Sequence, residues 1–136
     1  MQRREFLQVA AAVAGAVRDF EPALPFVVLA GPGGALMRAA AERHGLRPVA
    51  EGFPDRAYLA DGRLAPRDLD GAVVADADVV AARALRMARE GEVEAIDGSL
   101  VRLEVETLCL HGDTPGSHAA AATVRTALEG AGVEVA

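Results

Sequence analysis

Leu108-Cys109-Leu110-His111-Gly112-Asp113-Thr114-Pro115-Gly116-Ser117 is the stretch on which the fold turns. Its first half is a short apolar run, the pattern of a buried strand. The run stops at His-Gly-Asp, and an alanine-rich helical pattern follows over about residues 116–129. Thr114 ahead of Pro115 reads as a helix N-cap with proline in the first helical position. A titratable imidazole and a carboxylate therefore fall between the C-terminal end of a strand and the N-terminus of a helix. In α/β proteins that edge is where ligands bind.

Working outward, the same alternation recurs. Residues 3–18 have helical spacing, with Phe6, Val9, Ala10, Val13 and Val17 on one face, and Pro22 and Pro25 end the pattern. Residues 26–30 read as a buried strand. Gly31 to Gly34 turn the chain into a helix over 34–43, with Gly45 as its C-terminal cap. A strand follows near 48–51, and Asp61-Gly62 between Tyr58-Leu59 and Arg63-Leu64 is a hairpin-turn signal. Asp76 caps a helix running to about Glu90, with Val79, Val80, Ala84 and Met87 inward. Residues 93–96 and 101–105 pair across Asp97-Gly98. A strand at 107–110 leads to the last helix, and Val133-Glu134-Val135 reads as a terminal strand. The expected fold is a single α/β domain over residues 1–136, a mainly parallel sheet with covering helices. Right-handed crossovers bring the strand ends at 31–34, 51–56 and 111–113 to one rim.

Composition excludes several classes. The net charge is −6 with a pI near 5.0, and no basic stripe exists, which argues against nucleic acid. All 14 basic residues are arginine. One cysteine, Cys109, rules out an internal disulfide and a cysteine-based zinc site, and its apolar setting suits a buried, inert thiol. Arg3-Arg4 before an alanine-rich run resembles a twin-arginine export signal, but the run is weakly apolar and too short to span a membrane. An amphipathic helix in a cytoplasmic protein is the favoured reading, with export as the alternative.

Several residues at the predicted rim carry chemistry. His111 is the candidate general acid or base, since imidazole titrates near neutral pH. Asp113 and Asp55 are the carboxylates that can share its work. Arg56 offers a planar fork for a substrate carboxylate, or else pins the hairpin as half of a loop salt bridge with Asp55. Tyr58 either hydrogen-bonds a ligand carbonyl or packs the hairpin, and Glu51 stands at the strand end beside them. Thr114 and Gly116 lie at the helix entry, where backbone N–H groups can hold an anion. His111 and Asp113 alone are too few ligands for a metal, so none is expected. Gly31-Pro32-Gly33-Gly34 is not a P-loop, because no Gly-Lys-Ser/Thr follows and the chain has no lysine.

Two blocks, residues 53–67 (Phe-Pro-Asp-Arg-Ala-Tyr-Leu-Ala-Asp-Gly-Arg-Leu-Ala-Pro-Arg) and residues 110–116 (Leu-His-Gly-Asp-Thr-Pro-Gly), resemble the LamB/YcsF family. Ala82-Arg83-Ala84-Leu85-Arg86-Met87 and Ala95-Ile96-Asp97-Gly98 are similar to it too, whereas Pro54 and Ala65 depart from the usual Ala and Val. The family's N-terminal motifs, Asp-Leu-Asn-Cys-Asp and Lys-Pro-His-Gly-Ala-Leu-Tyr, are missing. The resemblance therefore implies the C-terminal half of a (β/α) barrel of the glycoside hydrolase/deacetylase type. It implies a part in ATP-dependent opening of the 5-oxoproline lactam to glutamate, in complex with other 5-oxoprolinase subunits. In that reaction His111, Asp113 and Asp55 would be catalytic, and Glu51, Arg56, Tyr58, Thr114 and Gly116 would bind substrate. ATP would be handled outside this chain, and the chain alone would be inactive. Unpaired strand edges point to a homodimer or to docking with the missing N-terminal half. The alternatives are a non-catalytic, partner-binding remnant and a carbohydrate-type hydrolase of related barrel, which would need a fuller metal triad.

Overall fold

A computed structural model describes residues 2–136. Helix α1 (Arg3–Phe20) is followed by β1 (Pro25–Leu29), a 3-10 turn at Pro32–Gly34, α2 (Ala35–Arg43) and β2 (Arg47–Gly52). After a long loop come α3 (Ala77–Glu90), β3 (Glu92–Glu94), β4 (Leu100–Arg102), β5 (Thr107–Leu108) and α4 (Ser117–Gly130). Strands β1, β2 and β5 form a parallel sheet in the order β1-β2-β5, and β3 and β4 pair as a separate antiparallel ribbon. The α/β alternation and the parallel sheet are as expected. Among the described residues no helix is long and apolar enough to cross a membrane.

Side-chain size decides how the first two helices meet. Ala10 and Ala14 of α1 are fully buried with Ala40 and Ala41 of α2 and with Phe26, Val28 and Leu46. Small residues let the backbones approach, so the buried face runs Phe6, Ala10, Ala14, Val17. Val9 and Val13, expected on that face, are instead exposed. The same rotation applies to α3, whose buried stripe is Val80, Ala81, Ala84 and Met87 while Val79 faces out. Asp76 caps α3 as the sequence predicts, its carboxylate accepting from the N–H groups of Asp78 and Val79.

The glycines at 31–34 have a steric cause. A Cβ on Gly34 would sit 1.8 Å from the carbonyl oxygen of Leu29, so only glycine lets α2 start directly over β1. Two helices end in the Schellman pattern with glycine in the left-handed region. Leu46 N–H reaches back to Ala41 and Gly45 N–H to Glu42; Val133 N–H reaches Leu128 and Gly132 N–H reaches Glu129.

That second cap removes an expected strand. Val133 is committed to closing α4, and Val133 and Val135 pack on the α3–α4 cluster around Val124 and Leu128. Residues 133–135 consequently add nothing to the sheet. An open groove of about 480 Å³ lies between this tail and β5. On the sheet, Phe26 and Val28 face the helices, whereas Val27 and Leu29 on the opposite face are 50 % and 39 % exposed. Parallel register places Val49, itself buried, and half-buried Glu51 beside them on that face.

Candidate functional site

Residues 52–58, which leave the C-terminal end of β2, are buried without a break. Their backbone is held by side chains from elsewhere. Arg83 of α3 donates from Nε to the Pro54 carbonyl at 2.9 Å and from Nη2 to the Arg56 carbonyl at 2.8 Å. Its Nη1 donates to the Glu94 carbonyl at 3.0 Å. Between those two loop anchors, the Asp55 carbonyl accepts from Val74 N–H. Tyr58, 2 % exposed, accepts from Phe53 N–H on its phenol oxygen at 3.0 Å. Burial pushes the Tyr58 hydroxyl above its ordinary range, so it stays protonated at neutral pH.

The expected carboxylate clamp is not formed by Arg56. Its guanidinium is turned inward, with Nε on the Ala72 carbonyl at 3.2 Å and Nη2 on the Ala65 carbonyl at 2.8 Å, and the residue is 7 % exposed. The side-on edge that would grip a carboxylate is taken up by backbone. Nor does Arg56 pair with Asp55: main-chain carbonyls, rather than a loop salt bridge, pin the hairpin.

Asp55 instead meets the second block. Its Oδ2 accepts from the backbone N–H of His111 at 2.7 Å, and both carboxylate oxygens lie within 3.2 Å of His111 Nδ1. The Phe53 ring lies against the imidazole at 5.3 Å between centroids. A carboxylate on Nδ1 selects the tautomer in which Nδ1 carries the proton, and Nε2 is the nitrogen left for chemistry. Pairing residues 56 positions apart follows from the sheet, since β2 and β5 are neighbours and Cys109 N–H continues the ladder to the Gly52 carbonyl.

Asp113 does not join this pair. It is exposed and bonds Arg67 Nη1 at 3.1 Å, and that hydrogen bond holds its carboxyl below the usual carboxylate range. Glu51 is half-buried on the open face of β2. Thr114 does not cap α4. The helix begins at Ser117 after Gly116 in the left-handed region (φ 82°), so Thr114 and Pro115 form a turn ahead of it. Ser117 N–H bonds the Thr114 carbonyl within that turn. Asp55, His111, Thr114, Pro115 and Gly116 line one small recess of about 20 Å³. Tyr58 and Glu51 line a different one with Phe53 and Gly33. Cys109 is half-buried, and burial together with the Glu51 and Asp55 carboxylates pushes its thiol up, against thiolate chemistry. Among the described residues no group of three or more His, Cys, Asp or Glu is placed to hold a metal ion.

A family model for the LamB/YcsF family matches residues 2–136. The chain belongs to the LamB/YcsF family. Its LamB/YcsF relatives include the A subunit of 5-oxoprolinase from Thermus thermophilus, 51 % identical over 128 residues. That alignment covers 94 % of this chain and 50 % of the relative. The Streptomyces coelicolor protein of the same name is 53 % identical over the same shares of each chain. The crystal structure of a lactam utilization protein, also from Thermus thermophilus, superposes with a TM-score of 0.87 at 49 % identity, covering 95 % of this chain and 50 % of that one. The chain thus spans about half the length of the curated relatives it matches.

Arg83 and Arg67 are the residues whose roles sequence reasoning missed. Both stand in familial segments, but nothing local marks Arg83 as a three-way donor to backbone. Arg67 lies 46 positions from its partner Asp113.

Proposed function

We propose that this chain supplies one sector of a lactam-opening site of the kind its 5-oxoprolinase relatives are named for, acting on 5-oxoproline. The observation that carries this is the doubly bonded Asp55–His111 pair, formed between the two familial blocks at the C-terminal ends of parallel strands. In this reading Asp55 orients the ring, while His111 Nε2 takes a proton from the attacking water and returns one to the leaving lactam nitrogen. Thr114 and Gly116 line the same recess, and their backbone N–H groups are the candidate donors for a developing oxyanion. Arg67, exposed beside Asp113, replaces Arg56 as the cation for the substrate carboxylate.

ATP provides the driving force in this reading and is bound outside this chain. The residues here do not fit it: the one glycine-rich turn is closed by the Gly34 N–H to Gly31 carbonyl bond and packed on Leu29, and no lysine follows. The sheet is read as a sector of a (β/α) barrel of the glycoside hydrolase/deacetylase type, with Val27, Leu29 and Glu51 toward its interior. The remaining half of the family's fold then docks on the free edges, whether continuous with this chain or supplied as a separate one. A second copy of the chain is the alternative occupant of those edges. Further 5-oxoprolinase subunits complete the assembly, in the cytoplasm.

Glutamate release from 5-oxoproline and ATP tests this. The chain alone is expected to release none; joined to the other half of a relative and its partner subunits, it is expected to turn over, with His111→Ala lowering kcat by about 10²–10⁴-fold. Near-normal turnover by that variant sinks the assignment.

A further inference from the structure

We propose that Arg83 is the positioning residue of the Asp55–His111 pair, holding the carbonyls of the residues on either side of Asp55 so that its carboxylate meets the imidazole squarely. The proposal rests on the reading that this pair is the reacting one, and it names a residue with no other assigned part in the site.

Three features carry it. First, the acceptors of Arg83 are the carbonyls of Pro54 and Arg56, the residues immediately before and after Asp55. With the Asp55 carbonyl bonded to Val74 N–H, three successive peptide carbonyls are fixed, and the only part of Asp55 left to adjust is its own short side chain. Second, the remaining guanidinium nitrogen binds the Glu94 carbonyl at the end of β3. The loop is thereby tied to α3 and β3 together, two elements that also pack on each other around Met87 and Val93. Third, the three bonds diverge from one planar group. A lysine ammonium keeps the charge but cannot reach three carbonyls arranged around a guanidinium plane. Such a support matters because a donor or acceptor misplaced by about 1 Å weakens an otherwise complete site.

The test needs neither substrate nor partner subunits. The His111 backbone N–H lies 2.7 Å from a carboxylate oxygen, a charge-assisted bond that shifts its proton resonance downfield. Asp55→Asn provides the reference spectrum without that charge. In ¹H–¹⁵N NMR of the 136-residue chain, Arg83→Lys is expected to lose the downfield His111 amide signal and move it toward the Asp55→Asn position, with a cooperative melt retained. Arg86→Lys, in the same helix and paired with Glu90 at the surface, is expected to leave the signal in place. An unchanged His111 signal in Arg83→Lys overturns the proposal. So does loss of a cooperative melt in that variant, because Arg83 would then hold the fold at large rather than the pair. Failure of the glutamate assay bears on the function and leaves this readout untouched.

Discussion

The two blocks that make the candidate site are held in opposite ways. Residues 52–58 are buried without interruption and tied by Arg83, Arg56, Tyr58 and Val74, whereas residues 111–117 are half-buried or exposed throughout. The second block has few ties of its own: the Arg67–Asp113 ion pair at the surface, the Ser117 N–H to Thr114 carbonyl bond and a long Ser117 Oγ to Gly112 carbonyl contact of 3.4 Å. What orients it is Asp55, which reaches across from the rigid block and takes both the N–H and the ring of His111. The lesson is a division of labour. The buried loop provides position, the exposed turn provides adaptable donors, and one carboxylate couples them.

Substitutions can break this contrast, and the largest effect is expected at Arg56. Arg56→Ala strands the Ala65 carbonyl, leaves the Ala72 carbonyl with Ala57 N–H alone and empties a buried site, which should cost about 3–5 kcal/mol of folding stability in urea titration. A loss below about 1 kcal/mol would mean that the arginine is free after all, as a substrate clamp must be.

The next effect is at Tyr58, and it carries a pH dependence. Tyr58→Phe leaves Phe53 N–H without its acceptor and should cost about 1–2 kcal/mol. In the unaltered chain the phenol's pKa is raised by folding, so its stabilising effect is complete below the unfolded value near 10 and declines as pH rises through the folded value. With one tyrosine and no tryptophan in the chain, absorbance of the phenolate reports this group alone. Ionisation is expected to coincide with loss of the circular dichroism signal above about pH 10. Phenolate appearing in a still-folded chain would show that the loop is less rigid than the contrast requires.

The smallest folding effect belongs to the exposed turn. Asp113→Asn removes one partner of a surface ion pair and should leave the melting temperature nearly unchanged. In the reconstituted enzyme it should alter KM more than kcat, because it frees Arg67 rather than touching His111. A large drop in stability would place Asp113 with the buried block instead.

Where sequence reading succeeds and fails follows the range of the interactions. The Asp76 cap, the Gly45 helix end and the Asp61-Gly62 turn depend on residues within a few positions, so their signals are local. Thr114-Pro115 gives an equally clear local signal but fails, because Gly116 takes the left-handed conformation and postpones the helix to Ser117. Val133-Glu134-Val135 alternates like a strand, yet its first N–H is claimed by the helix cap and its valines by α3 and α4. His111 and Asp55 are visible as candidates, since both follow strands of a parallel sheet. That Asp55, rather than the nearer Asp113, is the partner depends on β2 lying beside β5. The roles of Arg56 and Arg83 are hidden for a stronger reason: their acceptors are main-chain carbonyls, which every residue has and no sequence pattern distinguishes.

The two margins of the parallel sheet are not equivalent. Strand β1 matches all five of its residues to β2, whereas β5 contributes only two, and the tail at 133–136 lies alongside β5 across the groove. A strand set beside β1 would meet a five-residue ladder of main-chain groups, and one set beside β5 a two-residue one. The two margins therefore differ in the length of paired main chain behind them, five residues on one side and two on the other.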